Sequence, residues 1–168
     1  MATTVYLTAS SLDGFIADPD HSLSWLFVQD FDEDGPMNLN DFGRGVGALV
    51  MGANTYQWVL DHMAESGEPW AYEAPCWVLT HRDLEAPEGA DVRFSQADPS
   101  DVHAEMVEAA GDRTVWLVGG GELVGQFADR GLLDEIVISF APVTLGAGAP
   151  LLPRRLDLEV LEVARETG

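Results

Sequence analysis

The chain contains no lysine, one cysteine and no apolar run long enough to span a bilayer, and each absence excludes something. Arginine alone supplies the 8 strongly basic residues, which face 29 Asp and Glu in a 168-residue chain of formal net charge -21. Such a surface repels polyanions, so nucleic acid and anionic membrane are poor partners, and a bound anion needs a local cradle of N–H groups or arginines. The missing lysine also removes the P-loop as an explanation of any glycine-rich loop. Cys76 stands alone inside the apolar run "CWVLT", which excludes a disulfide framework and suggests a buried structural thiol. The start "MATTVYLTAS" has no basic segment followed by a long apolar one, so a soluble, cytoplasmic protein is expected. His21, His62, His81 and His103 lack zinc-ligand spacing, and no nucleophile elbow occurs. Without repeats, low-complexity tracts or a linker, residues 1–168 read as a single domain.

What is present is an alternation of apolar strands and amphipathic helices. "TTVYLTAS" reads as a buried strand followed by a long loop through "LDGFIADPDHSLSW". A helix over 38–46 would place Leu39, Phe42 and Val46 on one face, and "VGALVMG" is a second strand. In "ANTYQWVLDHM", Tyr56, Leu60 and Met63 recur at helical spacing. "CWVLT" and "DVRFS" are short strands, Ser100 is a potential cap for "DVHAEMVEAA", and "TVWLVG" leads into a helix with Leu123, Val124, Phe127 and Ala128 inward. "DEIVISFAPVTLG" and "LDLEVLEVA" close the chain as extended segments. This order predicts an α/β fold, a mixed, mostly parallel sheet flanked by helices with an antiparallel C-terminal edge.

Two strand-to-helix junctions carry chemistry. In "VWLVGGGELVGQF", Gly119, Gly120 and Gly121 let the backbone come close to a ligand where a helix start offers free N–H groups; a tight corner is the competing explanation. In "LVMGANTYQW", Gly52 permits a sharp turn and Thr55 sits in the first helical turn, although Asn54 or Thr55 acting as a simple cap would also account for it. Two anion-friendly junctions in one sheet suggest a diphosphate or dinucleotide. Gly125, one turn inside its helix, looks replaceable by alanine.

The stretches "TASSLDGFIA", "ALVMGANTY", "WVLTHR" and "VWLVGGGELVGQFADRGLLDEIVISFAPVTLGAGAPLL" resemble, in order, the dihydrofolate reductase-like family, and within it single-domain relatives of the reductase domain of riboflavin-biosynthesis deaminase-reductases. The resemblance implies the three-layer dihydrofolate reductase-like fold, NADPH as hydride donor and a homodimer. It implies Ser10 and Ser11 near the nicotinamide, and Trp25 lining the cleft between cofactor and substrate. Gly52 and Thr55 would lie at the second junction, Thr80, His81 and Arg82 on the adenosine side, and Gly119, Gly120, Gly121, Glu122 and Leu123 in the phosphate loop. Two positions depart from the family pattern. Ala53 stands where an arginine usually meets the 2′-phosphate, and Val118 where riboflavin-pathway reductases place a glutamate. No arginine-rich clamp for a ribosyl-phosphate substrate is evident.

The expectation is therefore an NADPH-dependent reductase acting on a small heterocycle or a C=N or C=O group. A pterin or dihydrofolate reductase, or a non-catalytic dimeric NADPH-binding protein, are the alternatives. No catalytic residue is fixed: Asp13 before Gly14 is an acid or a turn former, Trp25 lies near any reaction, and Asp41 is the one placed carboxylate for a pterin. Asp30, Asp32, Asp34 and Asp41 with Gly35 also meet calcium-loop spacing, against which stand Pro36, the short Asp41 and the general excess of acids.

Overall fold

The computed structural model describes residues 2–30 and 33–165. Its strands are the apolar runs, β1 (Thr4–Ser11), β3 (Val46–Gly52), β4 (Cys76–Leu79), β5 (Val92–Ser95), β6 (Thr114–Gly119) and β7 (Glu135–Ala141), joined in one sheet of order β5-β4-β3-β6-β1-β7. Every pairing in this sheet is parallel. Parallel neighbours need a crossover; the helices α3 (Ala53–Ser66), α4 (Pro99–Ala110) and α5 (Gly121–Asp129) lie in the connections after β3, β5 and β6, while β4 and β5 are joined by a loop without a helix. Two short strands, β2 (Phe15–Ala17) and β8 (Ala149–Pro150), pair antiparallel as a separate ribbon. Short helices α1 (Ser24–Phe27) and α2 (Leu39–Arg44) lie between β2 and β3.

Because side chains alternate across a strand, the sheet builds two cores. Ala48, Val50, Val115 and Leu117 pack with Val102, Met106, Val124 and Phe127 under α4 and α5. Leu49, Met51, Val78 and Trp116 pack with Tyr56 and Val59 under α3 on the other face. Gly47 lets the sheet and α4 touch closely, since a Cβ there would lie 2.7 Å from Ala110 Cα.

Four expectations are corrected. The C-terminal edge of the main sheet is not antiparallel: β7 runs parallel to β1 because α5 carries the chain back before it starts, and antiparallel pairing is confined to the β2–β8 ribbon. "LDLEVLEVA" takes no place in either sheet, and Leu158, Val160, Leu161 and Val163 are exposed. Asp98, not Ser100, caps α4: Pro99 fits the first turn, so the helix starts earlier and the Asp98 carboxylate accepts from Ser100 N. The helix expected over 38–46 ends at Arg44, leaving Leu39 exposed, while Val46 opens β3 and Phe42 alone packs inward, edge-on to Trp116. Among the described residues no helix is long and apolar enough to cross a membrane.

Candidate functional site

Parallel strands place their C-terminal ends along one edge of the sheet, and the chemistry-bearing residues collect there. β3 and β6 are neighbours, yet the helix after β3 covers one face and the helix after β6 the other. A crevice opens where adjacent strands diverge in this way. Met51 pairs with Gly119, and a Cβ built on Gly52 would lie 3.8 Å from both Gly119 O and Leu123 Cδ1, so the two junctions adjoin.

The helix starts differ from others in the molecule. α2 and α4 are capped by the side chains of Asn38 and Asp98; the four-residue α1, α3 and α5 have no side-chain cap, and of these α3 and α5 begin at glycines, Gly52 and Gly120, at the ends of sheet strands. Neither Asn54 nor Thr55 caps α3, so the bland explanation of that junction does not apply. Gly52 adopts φ -82°, ψ 170°, which any residue reaches, so a sharp turn does not account for glycine there. The three glycines differ among themselves. Gly119, at φ 134° and joined to Gly120 by a cis peptide bond, has a conformation that side chains rarely adopt. At Gly121 a Cβ would run into the carbonyl oxygens of Pro150 and Leu151. At Gly120 it would meet only Ile16 Cδ1, at 3.6 Å.

Beside the α3 start, Leu79 pairs with Gly52 and the chain turns through Thr80, His81 and Arg82. Thr80 Oγ1 accepts from Arg82 N at 2.9 Å, and Arg82 Nη2 donates to Asn54 Oδ1 at 3.2 Å, which leaves an exposed guanidinium next to the first turn of α3. His81 Nδ1 lies 3.2 Å from Gln96 Oε1. Half-buried Thr55 is in the same turn. Glu122 belongs to the loop through its backbone only, because its carboxylate is held by Arg154 at 3.0 Å through both guanidinium Nη atoms.

At the end of β1 the buried Ser10 hydroxyl donates to Ser11 O, and Ser11 Oγ donates to Asp13 Oδ1 at 2.7 Å. Asp13 also accepts from Leu145 N and from Gly146 N, the latter at 2.7 Å. The Ser11 hydroxyl, then these backbone N–H groups, pull its carboxyl down to about 2. That corrects Asp13 as an acid: ionised at neutral pH and fully engaged, it anchors the β1–β2 turn to the loop before β8.

Trp25 is buried on α1 with its indole N–H donated to Ser22 O. Its helix is pinned beside α3 by Phe27, stacked 6.0 Å from the rings of both Trp58 and His62. Asp41 lines a cavity of about 470 Å³ with Val5, Leu7, Phe42, Glu135 and Val137, toward the opposite end of β1 from Ser10. It is no buried pterin carboxylate: its side chain is 67% exposed and bonded to Arg44 at 2.6 Å and to Asn38. The same bonds engage Asp41 against the calcium loop, whose Asp32 lies outside the described residues; among those described no group of three or more His, Cys, Asp or Glu gathers for a metal. Sequence reasoning missed Arg154 as a neighbour of the glycine junction, and the bond of Asn54 to Arg82 at the other, since both contacts join parts distant along the chain.

Fold and site together define an α/β protein with a parallel sheet and two adjoining glycine-led helix starts at the C-terminal ends of its central strands. The chain belongs to the family of the RibD C-terminal domain, whose model matches residues 56–165. It is 32% identical over 149 residues to "Uncharacterized protein YwjB" of Bacillus subtilis, covering 88% of this chain and 81% of that protein. The crystal structure of "Putative riboflavin biosynthesis protein" from Shewanella sp. PV-4 is similar with TM-score 0.79 and 30% identity, over 95% of this chain and 90% of that one. Dihydrofolate reductase from Enterococcus faecalis, complexed with NADP(H), shares the fold at TM-score 0.55 and 17% identity, over 90% of this chain and 77% of its own.

Proposed function

We propose that the protein is an NADPH-dependent reductase of small heterocyclic, C=N or C=O substrates, active as a homodimer. The observation that carries this is the pair of adjoining helix starts, both without side-chain caps, at the β3–β6 crevice with Arg82 beside them. Unspent N–H groups and the two helix dipoles suit a pyrophosphate, and Gly120 leaves the backbone open to close approach. NADPH when bound supplies the hydride. The chain's own residues bind and orient: the first turns of α3 and α5 take the phosphates, Thr55 assists, and Arg82 meets the 2′-phosphate in place of the arginine lost at Ala53. With Asp13 ionised, water supplies the proton taken up by the acceptor. Val118 packs in the apolar core under α3, which disfavours the ribosylaminopyrimidine phosphate of the riboflavin pathway as substrate.

Fluorescence titration with NADPH and NADH tests the reading. Both are expected to bind, NADPH modestly tighter; Arg82→Ala should weaken NADPH roughly five- to tenfold and leave NADH nearly unchanged. Equal weakening of both removes Arg82 from this role, and absence of binding by the parent protein sinks the proposal. Following NADPH absorbance with candidate acceptors then separates an enzyme from a non-catalytic binder.

A further inference from the structure

The start of α5 carries a contradiction. Glu122 is in its first turn, one residue past the glycines, and a carboxylate there competes with any anionic ligand for the same N–H groups. The structure resolves this with a residue 32 positions along the chain. After β8 the backbone crosses the α5 start, with Pro150 and Leu151 carbonyls against Gly121 and Leu151 O accepting from Tyr6 Oη at 2.7 Å. That crossing delivers Arg154 onto the helix flank. Its Nη1 and Nη2 each donate to Glu122 at 3.0 Å, its Nε donates to Asp129 Oδ1 at 2.9 Å, and its side chain is only 23% exposed. The guanidinium lies over Gly125, where a Cβ would come within 2.8 Å of Arg154 Cζ. Glu122, Gly125 and Asp129 follow one stripe of the helix, so the Glu122 carboxylate is drawn down the flank, away from the N-terminus.

We propose that Arg154 is a positioning residue for the dinucleotide site: it holds and neutralises the Glu122 carboxylate so that the first turn of α5 stays available to an anion. This rests on the crevice being that site. Once the guanidinium is removed, Glu122 becomes the helix's own anion, folding back on the N–H groups that a pyrophosphate needs. In a chain of net charge -21 no neighbouring lysine can compensate. Its neighbour Arg155 provides a built-in control, because its side chain is 92% exposed and its ion-pair partner is Asp157, at 3.9 Å.

The test is a mutant cycle read by NADPH titration at low and high salt. Arg154→Met keeps a stem over Gly125 and removes the charge; it should weaken NADPH about tenfold at low salt, less at about 0.5 M where exposed charges are screened. Adding Glu122→Gln to Arg154→Met should recover most of that loss, whereas Arg154→Lys should weaken binding less than Arg154→Met does. Arg155→Met, with the same change in net charge, should bind like the parent. Thermal unfolding of each variant reports the fold separately, and Arg154→Gln replaces Arg154→Met if the latter does not fold. If the double variant binds no better than Arg154→Met, or if Arg155→Met loses as much, Arg154 only braces the chain crossing and the proposal is overturned. A parent that binds no dinucleotide at any salt overturns the site reading and this inference with it; a parent that binds, without coupling between positions 122 and 154, overturns this inference alone.

Discussion

Within a single run of glycines, three neighbours serve three purposes. Gly119 answers to its backbone angle, Gly121 to the carbonyls crossing it, and Gly120 to neither, which fits the ligand approach proposed for it. Gly120→Asp should therefore fold, its Cβ in ordinary contact with Ile16, while losing NADPH binding; unchanged titration would mean that the glycines only turn a corner. Gly121→Ala should lower the thermal midpoint strongly, because backbone atoms must give way. The sequence announced close approach at these positions without saying what approaches. At Gly125 helix propensity favours alanine, and the added Cβ would press only on the guanidinium end of Arg154, which has room to shift along the flank, so Gly125→Ala should leave the thermal midpoint little changed or slightly raised. Asp13 was legible as a turn former because Asp-Gly is local chemistry, whereas its bonds to Leu145 and Gly146 join parts of the chain too distant for any pattern to reveal.

Helix α4 ties the far end of the sheet together. His103 Nε2 lies 2.8 Å from Thr4 Oγ1 of β1, and Thr4 N donates to Asp134 Oδ2. Burial pushes the His103 pKa down, with the nearby Asp134 charge opposing in part. Its folded value lies below the ordinary value of about 6.5, so the unfolded chain binds more protons between the two. Stability from this group is complete above about pH 6.5 and is lost as pH falls through the folded value. Urea midpoints should fall between pH 7.5 and pH 5.5, and His103→Gln should flatten that slope; an unchanged slope would remove His103 as the cause. Elements marked by strong periodicity, such as α3 with Tyr56, were legible, as were the apolar strands. The direction of β7 was missed although the α5 crossover before it dictates parallel pairing. The β2–β8 ribbon was missed because it joins two short pieces distant in sequence.

Taken as a whole, the molecule pairs β7 with β1 on one side only and exposes Phe140, Leu158, Val160, Leu161 and Val163 nearby in sequence, an apolar hazard for a highly charged chain left alone. The proposed homodimer should sediment near twice 18.2 kDa at micromolar concentration, and a clean monomer would dismiss it. The divergence of α3 and α5 to opposite faces of the sheet has another consequence. In the proposed mode, a dinucleotide held between their first turns would contact one helix from each core, so its occupancy would oppose local opening on the two sides of the sheet together. Amide hydrogen exchange should then slow in the first turns of both helices when NADPH is added, with the same dependence on its concentration, and protection confined to one face would show that the ligand does not bridge them.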